Sequence, residues 1–211
     1  MRELSLYASP GNWQKFIARR MSPAFRRIAE KISKRDKYTC QYCGFQAKEY
    51  QDIVNHDQNY RNNKASNLVT ACCFCSQCFF LESVGLDDVS GGQLVYMPEL
   101  SQADLNSFCH VLFCAMSSET KYQDSAQIIY RNLKYRSHSV VKTFGEGSGD
   151  PRRMGAMLIE YQNIKNTAAP EKVLNGLRLL PIQSKFNMQL EAWAKSALIE
   201  LSDQETASTK G

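Results

Sequence analysis

Six of the eight cysteines fall between Cys40 and Cys78, and their spacing is what points to chemistry. Cys40 and Cys43 form one Cys-x-x-Cys pair. After 28 intervening residues comes Cys72-Cys-Phe-Cys75-Ser-Gln-Cys78. Two thiolates two residues apart can grip one Zn²⁺ from a tight turn, and a second such pair completes a closed tetrahedral site with Zn–S near ~2.3 Å. Two choices satisfy the second pair, Cys72 with Cys75 or Cys75 with Cys78. Clustered thiols of this kind, with no sign of a secretory leader, predict a reducing compartment and a bound metal rather than a disulfide scaffold. Cys109 and Cys114 lie apart and read as small core hydrophobes on a helix.

The 211 residues allow one ordinary domain or two small ones sharing a core, and 43% apolar with 22% charged residues is a globular composition. No apolar run approaches the roughly 20 residues that span a bilayer. Met1 to Pro10 is too polar for the apolar stretch of a secretory signal, which predicts a cytoplasmic protein or one held at a membrane by others. Residues 1–37 carry a balance of +7 and the remainder −2, within a total of +5. A basic start of this kind attracts nucleic acid, anionic lipid or an acidic peptide; it is equally the solvated face of an amphipathic helix.

The elements that must position the cysteines follow from periodicity. Trp13, Phe16, Ile17, Met21, Phe25, Ile28 and Ile32 predict helix over 12–34, broken by Pro23 near Arg20–Ser22. A short strand leading into a Cys-Gly turn is expected over Tyr38–Gly44, a second strand at Gln51–Asn55 and a third short element at Leu68–Ala71, with loop over Arg61–Asn67. A strand over Gln93–Met97 precedes a helix capped by Ser101 and Asp104, with Leu105, Phe108, Cys109, Leu112 and Met116 inward. A single helix is expected from about Asp124 to Thr143, with Ile128, Ile129 and Leu133 inward. The loop Gly145–Pro151 lacks the Gly-Lys-Ser/Thr of a phosphate loop and reads as a linker. Two more helices carry Met154, Met157, Leu158, Tyr161 and Ile164, then Leu190, Trp193, Ala194, Ala197 and Leu201. A polar tail over 202–211 is expected to fray.

From Arg35 to Cys75 the chain resembles the HNH family of ββα-metal nucleases. Arg35-Asp-Lys-Tyr-Thr-Cys40-Gln-Tyr-Cys43-Gly44 matches the family's opening motif, Val54-Asn55-His56 its Val-Asp-His, and Asn67-Leu-Val-Thr-Ala-Cys72-Cys-Phe-Cys75 its closing motif. The stretch covers roughly a fifth of the chain. The resemblance implies Cys40, Cys43, Cys72 and Cys75 as the ligands of one structural Zn²⁺, leaving Cys73 and Cys78 as spares. It also implies an α+β fold, a small zinc-bound ββα core embedded in a mainly α-helical domain.

The departures bear on function. Active members hold a catalytic divalent metal with the Asp before the central His and with a closing His or Asn. Here those positions are Asn55 and Ser76, a neutral amide and a short hydroxyl. His56 remains as a possible base without a metal to work beside, and a hydrogen-bonded strand-end histidine is the preferred reading. The expectation is a retained scaffold with no enzyme activity. A nuclease recruiting metal through His56 with Asp57 or Asp52, and a non-cleaving nucleic-acid binder, are the alternatives.

The longer context, His56-Asp-Gln-Asn-Tyr-Arg-Asn-Asn63 and Ala71-Cys-Cys-Phe-Cys-Ser-Gln-Cys-Phe-Phe-Leu-Glu82, resembles the DotN/IcmJ family of type IVB (Dot/Icm) secretion coupling-complex components. The resemblance implies a non-catalytic adaptor on the cytoplasmic face of the inner membrane, peripheral to it through partner proteins. It implies binding to the C-terminal extension of the coupling ATPase DotL, beside DotM and the IcmS–IcmW pair, in support of effector translocation. Three parts are expected: a basic helical segment over 1–36, the zinc core over 37–85, and a mainly helical region over 86–211. Tyr122, Tyr130, Tyr135, Tyr161 and Trp193 are candidate interface residues; Trp193 is expected to pack inward, and Tyr130 and Tyr135 to be exposed.

Overall fold

Proline decides the first boundary. In the computed structural model, which describes residues 1–86, 90–118, 120–165 and 171–208, α1 (Asn12–Met21) stops at Ser22 and Pro23 opens α2 (Pro23–Arg35). Ser22 is extended (φ −72°, ψ 124°), as a residue before proline must be, and proline in a first turn forfeits only an N–H that has no intrahelical partner. Phe16, Phe25 and Ile32 turn inward from this pair.

The strand expected over Tyr38–Gly44 shrinks to one bridge, Thr39 with Gln46. Lys37 and Tyr38 both take positive φ (55° and 52°), outside the extended region, so no ladder can propagate. Beyond them the chain turns tightly, with Gly44 (φ 79°) donating its N–H to the Cys40 carbonyl at 3.0 Å. β1 (Gln51–Asn55) and β2 (Leu68–Cys72) then pair antiparallel, with Gln51 opposite Cys72 and Asn55 opposite Leu68. β2 is buried throughout and runs directly into α3 (Cys73–Ser76). Two strands and a short helix thus form the ββα unit.

β3 (Gly92–Tyr96) has a partner absent from the sequence reading, β4 (Leu177–Pro181), paired antiparallel. α4 (Gln102–Ser117) is capped as expected, the Ser101 hydroxyl accepting the Asp104 N–H at 3.1 Å. Its buried face holds Leu105, Cys109, Leu112 and Phe113, while Phe108 and Cys114 are exposed, contrary to expectation. The inward stripe is rotated because Gln102, Asn106 and His110, one helical turn apart, also point into the protein.

The helix expected over 124–143 is two, α5 (Gln123–Tyr135) and α6 (Ser137–Phe144). Ile128 and Ile129 face out, and Ala126 and Tyr130 face in, so the expected stripe holds only at Leu133, which packs on the core, and the expected exposure of Tyr130 is reversed. The reason is polar: the Tyr130 hydroxyl donates to the Pro181 carbonyl at 2.9 Å and accepts the Gln183 N–H at 3.2 Å, so β4 claims it. α7 (Pro151–Lys165) buries Met154 and Leu158, whereas Met157 and Ile164 are exposed. Gly155 lets α7 press on the turn at Leu81–Ser83; a Cβ there would lie 2.4 Å from the Glu82 backbone nitrogen. α8 (Glu171–Leu174) precedes β4, and α9 (Asn187–Ser208) closes the chain. The tail expected to fray is helical to Ser208; its last three residues lie outside the described ones. One core runs from Leu4 and Phe16 through the cysteines to Leu112, Leu158 and Phe186. Among the described residues no helix is long and apolar enough to cross a membrane.

Glu82, under α7, carries a testable cost. Burial pushes its carboxyl up to about 7, and the nearby N–H groups of Ser9 and of Glu82 itself offset this only partly, since neither oxygen makes a hydrogen bond. An acid whose folded pKa is raised holds its proton longer folded than unfolded, so stability is full at low pH and falls as pH rises through the window from the ordinary carboxylate value to about 7. Discounted for partial exposure, the loss by mildly alkaline pH is about 2 kcal/mol. Denaturant unfolding is expected to show Glu82→Gln more stable than the natural chain above neutrality and equal to it in acid. Parallel curves at both ends would refute the assignment.

Candidate metal centre

The Cys40–Gly44 turn and the β2–α3 junction meet face to face. Their four sulfur atoms, on Cys40, Cys43, Cys72 and Cys75, all lie within 4.8 Å of one another, and all four residues are buried. The Cys43 and Cys72 sulfurs are 3.6 Å apart, close to the ~3.8 Å edge of a tetrahedron with metal–sulfur bonds near ~2.3 Å. Burial pushes the Cys72 and Cys75 thiols well above the ordinary range. A divalent cation reverses that preference, because it ionises coordinating thiols outright. The donor set is the one zinc favours, and four thiolates leave no position for water.

The two spare cysteines are placed differently. Cys78 donates its thiol to the Phe74 carbonyl at 3.3 Å, and burial raises its pKa, so it is a neutral donor outside the cluster. Cys73 is buried, and burial together with the nearby Asp52 carboxylate keeps it a thiol.

Two groups around the sulfurs were not anticipated. Asn106 donates from Nδ2 to the Cys75 sulfur at 3.2 Å and to the Phe74 carbonyl at 3.1 Å. Gln102, which also binds Leu179 of β4 through both its amide atoms, orients Asn106 by donating to its Oδ1 at 2.9 Å. His110 sets Nε2 3.3 Å from the Cys72 sulfur, with its ring stacked between Phe45 (3.6 Å) and Phe74 (4.2 Å). Burial lowers its pKa to about 3, so the imidazole is neutral, and a proton on Nε2 is what a metal-bound thiolate there would accept. Donors of this kind stabilise thiolate charge and orient ligands from outside the coordination sphere. The signal in the sequence was the polar row at 102, 106 and 110, spaced one turn apart beside the apolar stripe of the same helix.

The positions that hold catalytic metal in HNH nucleases are committed elsewhere. Asn55, fully buried, donates to the carbonyls of Asn59 (3.0 Å) and Asn62 (2.6 Å) and accepts from the Arg19 guanidinium. Arg19 also donates to the Ile53 carbonyl at 2.6 Å and lies 4.2 Å from the Phe25 ring centre, so a cation of the protein's own sits against Asn55. Ser76 is buried and donates to Asp52 at 2.7 Å, and Asp52 pairs with Arg20. Asp57 accepts from the Asn59 N–H, Asn62 and Asn67, which ties down the loop after β1. The His56 ring is exposed and makes no hydrogen bond among the described residues, unlike the strand-end role expected of it.

Reverting Asn55 to Asp is therefore expected to weaken the fold without restoring a metal site. Two carbonyls would face a carboxylate, at about 2 kcal/mol after the added attraction to Arg19. Ser76→His gains nothing either, because the site is too buried for an imidazole. Manganese binding by the Asn55→Asp chain, read calorimetrically, would show this wrong.

No protein-family model matches the chain. A curated relative does: the type 4 apparatus protein DotN of Legionella pneumophila subsp. pneumophila strain Philadelphia 1 is 54% identical over 201 residues, covering 95% of this chain and 94% of that protein. The chain belongs to the DotN family. Identity at this level over nearly the full length extends well past the cysteine region, so α4, which supplies both Asn106 and His110, falls within the shared part. In this DotN-family chain the ββα unit brings four cysteines together, while Asn55 and Ser76 are turned to packing.

Proposed function

We propose that this chain is a non-catalytic, zinc-stabilised adaptor of a type IVB secretion coupling complex. The observation that carries the reading is its 54% identity, along 95% of its length, with a DotN protein of the type 4 apparatus. Cys40, Cys43, Cys72 and Cys75 bind one structural Zn²⁺, a role supported by four mutually adjacent buried sulfurs with N–H donors turned toward two of them. The ion contributes to folding and has no open position for hydrolysis. The absence of nuclease chemistry is supported by the engagement of Asn55 with Arg19 and of Ser76 with Asp52.

In this reading the adaptor works on the cytoplasmic side of the inner membrane, held there by partners. It binds the C-terminal extension of the coupling ATPase DotL, next to DotM and IcmS–IcmW, and supports delivery of effector proteins. Residues 1–36 serve as a basic helical segment, 37–85 as the zinc core and 86–211 as the mainly helical part that offers surface to partners. Tyr122 and Tyr135, both largely exposed, are suited to interface contacts, and Trp193 is not, since it packs on Phe45 and donates to the Glu49 carbonyl at 3.1 Å.

Calorimetric titration of the zinc-loaded chain with the DotL C-terminal extension tests the reading. Saturable heat at micromolar concentration is expected. Its absence with folded, metal-loaded protein would sink the adaptor role, as would DNA nicking with Mg²⁺, Mn²⁺ or Ni²⁺ that disappears in His56→Ala.

A further inference from the structure

A cleft of about 420 Å³ opens between α1, α2 and β1. Phe16, Phe25 and Ile53 give it an apolar wall, and Arg19, Arg26 and Lys48 reach it from three elements of the chain. Four cations line it against two carboxylates, and both carboxylates are already engaged. Glu30 accepts from Tyr38 and pairs with Lys34; Asp52 accepts from Ser76 and pairs with Arg20. Arg26 and Lys48 are exposed, and their side chains have no hydrogen bond or ion pair among the described residues. Arg19 spends its two Nη groups on Ile53, Asn55 and Asn63, but its Nε has no acceptor.

We infer that this cleft docks an acidic segment of a partner polypeptide, one or two carboxylates flanked by an apolar side chain. The inference rests on the adaptor reading and gives it a surface. The chemistry is complementary on both counts: carboxylate oxygens supply the acceptors that Arg26 and Lys48 lack, and an aliphatic neighbour can rest on the half-buried Ala29 above the buried Phe25 and Ile53. A cavity of this size suits a few side chains. Nucleic acid fits less well, because a phosphate backbone presents charge every few ångströms and calls for an extended cationic track. Here the unpaired cations converge on one pocket with an aromatic wall.

The test uses the full, zinc-loaded chain and fluorescence anisotropy of a short labelled Gly/Ser peptide carrying a central Glu-Leu-Glu-Leu. The Gln-Leu-Gln-Leu counterpart and a labelled oligothymidylate serve as comparisons. The acidic peptide is expected to bind saturably, more weakly as salt rises, and to lose about tenfold in affinity both in the Arg26→Glu/Lys48→Glu chain and when its Glu residues become Gln. Arg152→Glu, on α7, is expected to bind as the natural chain does, and thermal unfolding confirms that each variant is folded. No saturable binding, equal binding of the Gln peptide, or tighter binding of the oligonucleotide that is lost in the same double variant would overturn the proposal. Capture of the DotL extension separates the two claims. Equal capture by the natural and double-variant chains removes the cleft and leaves the adaptor. Failure of the natural chain to capture it removes the adaptor, and the peptide result then decides the cleft by itself.

Discussion

Cys72→Ser is expected to yield insoluble or unfolded protein without metal, and Cys40→Ser the same. A structural zinc site contributes about 10–16 kcal/mol of apparent binding free energy. That matches or exceeds the ~5–15 kcal/mol of net stability a domain possesses, so a chain that loses the ion has little left to hold it. The effect is greatest at Cys72, where one buried residue ends β2, supplies a sulfur and meets the His110 ring. Cys78→Ser is the informative contrast. Its thiol donates to the Phe74 carbonyl and its sulfur accepts weakly from Asn106 Nδ2 at 3.9 Å, a serine hydroxyl can do both, and the change is expected to cost about 1 kcal/mol. Metal content of the soluble fraction separates the cases. Loss of metal in Cys78→Ser with retention in Cys72→Ser would reverse the choice of ligands.

Arg19→Ala is expected to be the most damaging change outside the cysteines. Its guanidinium joins α1 to β1 through the Ile53 carbonyl and Asn55, over the rings of Phe25 (4.2 Å) and Tyr60 (5.0 Å). Burial lowers its pKa to about 10, so it remains charged at neutral pH. Truncation leaves the buried Asn55 oxygen and the Ile53 carbonyl without donors and costs about 3 kcal/mol. For a chain of this size that is about 9 °C in Tm. Arg19→Lys is expected to recover only part of it, since one ammonium cannot serve acceptors in the fork geometry of a guanidinium. A Tm within about 2 °C of the natural chain would show that Arg19 is peripheral. The emergence of metal-dependent cleavage in Arg19→Ala would mean that it merely occludes a working nuclease.

What sequence could reveal here was local. The Cys-x-x-Cys turns, the Pro23 break, the Ser101 cap and the two strands at Gln51–Asn55 and Leu68–Ala71 are each specified within a few residues, and each appears in the structure. Features decided by distant partners were not legible. β4 is five residues long and becomes a strand only against β3, more than eighty residues earlier in the chain. Periodicity put Ile128 and Ile129 inside, yet Tyr130 turns in because the Pro181 carbonyl and Gln183 N–H satisfy its hydroxyl. Phe108, counted into the inward stripe, is exposed because the polar row at Gln102, Asn106 and His110 rotates α4, and Cys114, taken for a core residue by type, lies outside that buried face.

The candidate site divides in the same way. Cys-x-x-Cys spacing names the sulfurs, because the backbone of one turn must present both. The groups beside those sulfurs arrive from α4, about thirty residues further along the chain, and nothing near the cysteines announces them. Asn55 could be read as a missing carboxylate. That a guanidinium from α1 lies against it could not, since the two are joined only through the packing of α1 on the hairpin.

Zinc K-edge X-ray absorption on the purified, unmodified chain measures the coordination directly. The account predicts one zinc per chain with four sulfur neighbours at about 2.3 Å and no nitrogen or oxygen in the first shell. A shell of three or fewer sulfurs would contradict it: a nitrogen from His110 would mean that the ligand set is wrong, and a water oxygen would leave a position open to chemistry.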